Sequence, residues 1–360
     1  MKPLPPSRPS PRLAGGFVLS FVTVVFCLLV GEVLARIFDS TASLWRYPNY
    51  IHEVVRRPVL KRQLAYDSRL GWEPIPSVSG TLMGKAFSVS ALGMRDHHLQ
   101  GPAATGPAIL ALGDSFTEGF GVGNDETWPA DLERLTGRRV FNGGVRGYGI
   151  DQMVLRAERL VPRLKPQTVV VAFIADDTTR TALSVRDSMG KPYFVPVGER
   201  LDLRNVPVQT AFQSPWLVRA RDILGYSRLL DVVMTRLDAL ELWYGDVVRT
   251  GADPALVSCQ LMERLGALLR REHVEGLVVA LPESLGWSDP VGGAGGHAAV
   301  SAVLSCAARA GLRTLDTFAA FEKAGARRDP DSLYANYHLN ERGNALTARL
   351  IAEALDAAGG

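Results

Sequence analysis

Short apolar runs that alternate with amphipathic stretches constrain this 360-residue chain more than any other feature. PAILALG (107–113), RRVFNGG (138–144), QTVVVAFIA (167–175), EGLVVALP (275–282) and LRTLDT (312–317) read as strands. Between and after them lie helical patterns from Asp125 to Leu135, Ile150 to Leu164, Pro254 to His273, Ala298 to Ala310 and Asn340 to Ala358. Strands that are apolar throughout are buried on both faces, and strands alternating with helices predict βαβ units around a parallel sheet.

The first 36 residues have a different composition. A Pro-rich start carrying Lys2, Arg8 and Arg12 precedes 19 uncharged residues, Leu13 to Gly31, bounded by Arg12 and Glu32. About 20 apolar residues cross a bilayer as helix. The spacing therefore predicts a cytoplasmic basic tail over 1–12 and a transmembrane anchor over 13–36. A cleavable signal peptide is the rival, because Val33-Leu34-Ala35 ends in a small residue, although its apolar core would run only ~7–15 residues. Positive charge before the span leaves that end in the cytoplasm and puts the main domain outside, periplasmic or at the cell surface.

Apart from those three cations, the remaining 37 basic side chains balance 37 acidic ones, so no basic nucleic-acid face is expected. Cys27 falls in the apolar span, whereas Cys259 and Cys306 fall in two predicted helices and could pair in an oxidising compartment if those helices are neighbours. No Cys/His spacing suits zinc, and no metal or cofactor is expected. Residues 37–105, rich in Gly and Pro with short β-like runs, read as a β-rich apron to the domain over 106–358. That domain carries an insertion at about 178–250, with a hairpin turning at Val-Gly-Glu-Arg and a helical segment around Leu229 to Trp243. Insertions after parallel strands lie at the ligand-binding edge of a sheet, so this one is a candidate lid.

Gly113-Asp114-Ser115 follows the first strand and opens toward a helix, where backbone N–H groups can serve an oxyanion beside a nucleophile. Asn142-Gly143-Gly144-Val145-Arg146-Gly147 follows the second strand, Ile174-Ala175-Asp176-Asp177 the third, and Tyr337-His338-Leu339-Asn340 precedes the last helix. Together these resemble the four blocks of the SGNH (GDSL-type) hydrolase family over about residues 65–357. Tyr66-Asp67…Leu70-Gly71-Trp72 and Leu92-Gly93-Met94-Arg95-Asp96 resemble its membrane-anchored bacterial branch. The resemblance implies a doubly wound, three-layer α/β/α sandwich, flavodoxin-like, with strand order 2-1-3-4-5. It makes Ser115 the nucleophile and one oxyanion donor, Gly147 the second donor, and His338 the general base.

Two positions depart from that pattern. Asp176 stands where the family has an oxyanion-donating Asn, and Asn336 where this branch has the Asp that orients the imidazole. An ionised Asp176 would repel the oxyanion, a protonated one could donate, and either Asp176 or Asp331 could reach His338 by another route. Asn336 could accept from the imidazole through its amide oxygen, without offsetting its charge. Each residue also has a bland reading: Ser115 and Asn340 as helix caps, Asp176 and Asp177 as capping carboxylates, Gly147 as a turn glycine. The implied function is a serine esterase or O-acyltransferase acting on an extracytoplasmic ester, an acylated glycan or lipid. The alternative is a silent member that binds a cell-envelope glycan or partner.

Overall fold

The structure is a computed structural model that describes residues 11–38, 44–55, 63–97, 107–198, 200–209, 215–245, 247–288 and 290–357. The basic tail with Lys2 and Arg8 lies outside the described residues. Five strands form the central sheet: β1 (Ile109–Gly113), β2 (Val140–Asn142), β3 (Thr168–Phe173), β4 (Glu275–Ala280) and β5 (Arg313–Asp316). They pair in parallel in the order 2-1-3-4-5. Five helices cover the sheet: α1 (Trp128–Thr136), α2 (Ile150–Leu164), α3 (Pro254–Glu272), α4 (Pro290–Arg309) and α5 (Glu341–Asp356).

Side chains alternate across a strand, and that alternation builds the layers. Leu110, Leu112, Val169 and Val171 point into a core shared with α2, α3 and α4. Their neighbours Ile109, Ala111, Val170 and Ala172 point into a second core with α1 and α5. The central strands β1 and β3 read as apolar runs because both faces are covered. Cys259 of α3 and Cys306 of α4 are disulfide-bonded, with Cα atoms 5.2 Å apart.

The apron supplies two antiparallel hairpins, Leu64–Asp67 with Gly71–Pro74 and Ser79–Leu82 with Lys85–Ser88. It packs on the loop after β2. The Trp72 indole donates to the Arg146 carbonyl at 3.1 Å and meets Tyr148 edge-on with centroids 5.7 Å apart. Gln152 of α2 donates to the Leu70 carbonyl at 2.7 Å. Arg95 and Arg146 both lie over the buried Phe87 ring, at 4.8 and 5.2 Å.

The stretch 178–250, expected as one insertion, is divided. The described residues of 58–212 and 247–360 make one compact unit, and those of 1–57 and 213–246 another. The first portion remains with the sheet. Its hairpin pairs Tyr193–Val197 with Arg200–Arg204, and its fully buried Lys191 forms an ion pair with Asp151 of α2. The helical portion groups instead with the N-terminal helix Pro11–Phe38. It is three short helices, Pro215–Leu224, Arg228–Arg236 and Leu240–Tyr244, and the expected stretch Leu229 to Trp243 is broken at Leu237-Asp238, with Asp238 at φ +52°.

Candidate active site

β1 ends where the chain must pass close to its neighbour: a Cβ at Gly113 would come within 2.5 Å of the Ala172 carbonyl oxygen. The next residue, Asp114, is fully buried and caps the short helix Ser115–Glu118, accepting from the Phe116 N–H at 2.8 Å. Ser115 thus occupies the first helical position. A residue there has no intrahelical acceptor for its N–H. Gly147, in the loop after β2, has φ +79°, a conformation that costs a residue with Cβ about 1–2 kcal/mol. Space is not the constraint, since the nearest atoms a Cβ would meet, on Trp72 at 3.5 Å and Asp187 at 3.8 Å, are at ordinary contact distance. Among the described residues, neither the Ser115 N–H nor the Gly147 N–H donates to a protein acceptor.

His338 arrives from the opposite end of the sequence on a two-residue hairpin. Tyr334 pairs with Leu339 and Ala335 with His338, leaving Asn336 and Tyr337 at the turn with φ +49° and +66°. Positive φ at both positions is the I′ geometry, which favours Asn at the first. The residue type at Asn336 therefore has a backbone reason. His338 Nδ1 donates to the main-chain carbonyl of Asn336 at 2.9 Å, not to the amide oxygen that the sequence offered as an acceptor. With the proton on Nδ1, Nε2 is an acceptor, and Ser115 Oγ lies 3.0 Å from it. The Ser115 hydroxyl also reaches Asp114 Oδ2 at 3.3 Å. Burial pushes the imidazole pKa below its usual 6.5, against the Asn336 carbonyl and the charge of Asp114, which favour protonation.

Asp176 does not hydrogen-bond to His338, and neither does Asp331, whose carbonyl accepts from Asn340 at 3.1 Å. Asp176 Oδ2 accepts from Arg180 Nε at 2.9 Å, from Arg180 Nη2 at 2.6 Å and from Arg186 Nη2 at 3.3 Å, and Thr179 donates to Oδ1 at 2.9 Å. Burial opposes its ionisation, but the two guanidiniums and the Thr179 hydroxyl outweigh it and hold the pKa at about 2. Of the two protonation states weighed for Asp176, these contacts favour the ionised one.

Arg180, buried and missed in the sequence, is the hub. It contacts Asp114 at 3.1 Å, the Tyr148 carbonyl at 2.8 Å, and both Asp176 and Asp177. Burial and the neighbouring Asp114 push the Asp177 pKa well up, against the pull of Arg180. Arg186 was missed too. Its Nε is 3.5 Å from Asp187 and 3.9 Å from the point a Cβ on Gly147 would occupy. Glu283 follows β4, and its pKa rises to about 7 through burial and then repulsion by Asp176 and Asp114. Its place at the carboxyl end of a strand was the available signal. Of the histidines outside the motifs, His52 contacts Asp222, His97 Glu133 and His297 Asp316, His273 ends α3 at φ +55°, and His98 lies outside the described residues.

No curated protein matches the chain. Solved structures to which it is similar include TesA, at 15% identity, covering 69% of this chain and 97% of that one with a TM-score of 0.42. A psychrotrophic esterase, EstA from Pseudoalteromonas sp., aligns at 11% identity over 70% and 97%, with a TM-score of 0.40. A catalytic mutant of Axe2, an acetylxylan esterase from Geobacillus stearothermophilus, aligns at 16% identity over 69% and 94%, with a TM-score of 0.43. The serine turn, the glycine loop and the histidine hairpin lie within or at the edge of residues 111–346, about two thirds of the sequence, which match the GDSL-like lipase/acylhydrolase family, and the chain belongs to that family.

Proposed function

We propose that this protein is a membrane-anchored, extracytoplasmic serine esterase that works through an acyl-Ser115 intermediate, with water or an acceptor hydroxyl completing hydrolysis or O-acyl transfer. The observation that carries the reading is the 3.0 Å approach of Ser115 Oγ to an unprotonated His338 Nε2. Ser115 Oγ attacks the ester carbonyl as its proton passes to Nε2, and the developing oxyanion is received by the Ser115 and Gly147 N–H groups. The alcohol then leaves with the proton from His338. In the second half His338 deprotonates water or a glycan or lipid hydroxyl, which attacks the acyl group and releases Ser115.

The departures from the family pattern acquire roles in this scheme. Asp176 cannot donate, so it gathers Arg180 and Arg186, and the Arg186 guanidinium beside Gly147 supplies the positive potential that the missing amide would have contributed. Replacing the triad carboxylate by an amide side chain costs about 10⁴ in kcat because the wrong imidazole tautomer is favoured. A main-chain carbonyl can only accept, so Asn336 holds the correct tautomer without a charge. The absence of a carboxylate on His338 among the described residues is what favours the second reading, a catalytically impaired member that binds an envelope ligand in the same crevice.

Labelling of the purified full-length protein with a fluorophosphonate separates the two readings. The wild type is expected to label and Ser115→Ala not to; an unlabelled wild type would support the binding role. In pH profiles, His338 must be neutral to act as base. Because burial lowers its pKa, kcat/KM is expected to rise with pH along a limb centred below 6.5. That limb should persist in Glu283→Gln, and an inflection near 7 that disappears with the glutamate belongs to Glu283.

The anchor reading is supported by one apolar helix stretch, Val18–Phe38, long enough to cross a membrane. Glu32, which cleavage after Ala35 would remove, accepts at 2.9 Å from Ser227 Oγ and from the N–H groups of Arg228 and Leu229. A helix discarded as a signal would take away the acceptor of the first two N–H groups of the helix Arg228–Arg236. The Cys259–Cys306 disulfide suits an oxidising compartment.

A further inference from the structure

The helical unit carries a feature that ester chemistry does not use. An apolar groove of about 680 Å³ runs between the N-terminal helix, at Val25, Leu28 and Leu29, and the helix Arg228–Arg236, at Leu229, Leu230 and Val233. The two helices are tied at their polar ends. Glu32 caps Arg228–Arg236 from outside, Arg36 donates to the Tyr226 carbonyl at 2.9 Å, and Arg36 and Glu32 form an ion pair at 2.7 Å. A Cβ on Gly31 would lie 2.9 Å from Leu229 Cδ2, so the absence of a side chain there permits the close approach.

Depth follows from the same residues. A charged pair at the end of an apolar span marks the membrane interface. Val25 precedes Glu32 by seven residues, about 10 Å of helix rise, so the groove extends from the interface about that far into the hydrocarbon. Amphipathic helices lying in an interface bury their apolar faces to about 5–10 Å. The rest of the unit fits that setting: Trp216 is 70% exposed, Ile223 73%, Leu237 68% and Leu242 71%, while Tyr226 supplies a second aromatic of the interfacial kind.

We propose that residues 215–244 form an interfacial foot, seated in the leaflet at the C-terminal end of the anchor, with phospholipid acyl chains filling the groove. The inference rests on the anchor reading above, because the membrane-spanning helix forms one wall of the groove. The chain would then hold the bilayer by a transmembrane segment and by a second, sequence-distant element capped by Glu32.

The test uses full-length protein with Cys27→Ser and the Cys259–Cys306 bond intact, in phosphatidylcholine nanodiscs, carrying an environment-sensitive fluorophore on single introduced cysteines. Labels at Ile223→Cys and Trp216→Cys are expected to lose most of their emission to a phospholipid with a doxyl group near the headgroup and to resist aqueous iodide. A label at the exposed Leu135→Cys should do the reverse. If Val22→Cys within the anchor is quenched by lipid while both foot labels respond only to iodide, the foot is overturned and the anchor stands. If Val22→Cys is itself unquenched, the anchor fails and the foot falls with it. Foot labels shielded from both quenchers in a disc holding two copies would also overturn the proposal, in favour of a second chain covering the face.

Discussion

Ser115→Ala and His338→Ala are each expected to lower kcat for a short-chain aryl ester by about 10⁴- to 10⁶-fold, and the double variant to fall no further, because nucleophile and base act as one unit. The two side chains share one hydrogen bond of 3.0 Å, so removing either leaves the other without a task. Circular dichroism should be unchanged, since neither side chain is part of either core cluster. Losses that multiply in the double variant, or a Ser115→Ala enzyme with full activity, would remove the pair from the mechanism. What remains after either change should reflect binding and the Ser115 and Gly147 N–H groups alone.

The second large effect falls on stability. Arg180→Met leaves Asp114 and Asp177, both fully buried, without their shared cation, and removing one partner of a buried ion pair costs about 3–5 kcal/mol. The loss should depend on pH in a defined direction. The Asp177 carboxyl is already pushed up by burial and by Asp114, and without Arg180 it would be pushed further. A carboxyl whose folded pKa exceeds its unfolded value favours the folded state at low pH and loses that advantage as pH rises through the folded value. The gap between wild type and variant should therefore narrow as pH falls from 8 to 5. Asp176 works in the opposite sense. With its pKa held near 2 against an ordinary 3.8, it stabilises the wild type above about pH 4 and loses that contribution as pH falls toward 2. Urea midpoints of both proteins across this range would measure the difference, and Arg180→Lys, which keeps the charge, should recover part of the loss. A pH-independent gap would mean that Arg180 acts only through packing.

Much of this was legible in the sequence because it depends on local pattern. Ile109–Gly113 and Thr168–Phe173 are buried at every position, as central strands with both faces covered require, whereas the edge strand Arg313–Asp316 is polar and partly exposed, and the helix Ile150–Leu164 was placed to the residue by its periodicity. The turn at Ser115 and the glycine at 147 are local conformational demands, written in residue type. The apolar span is a matter of length alone. What tertiary structure decided lies where residues far apart in sequence meet. Asn336 looked like a lost carboxylate, yet its amide side chain is not what holds His338: a two-residue turn needs positive φ there, and the main-chain carbonyl, which no residue type reveals, does the orienting. Asp176 looked like an impaired oxyanion donor, but its protonation state is set by Arg180 and Arg186, four and ten residues away with no motif to mark them. Glu32 and residues 227–229 are nearly two hundred positions apart, and nothing in either segment announced that a carboxylate at the end of an apolar span would cap another helix. Strand and helix formation follow from neighbours along the chain, whereas charge states and hydrogen-bond partners follow from neighbours in space, and only the folded chain brings those together.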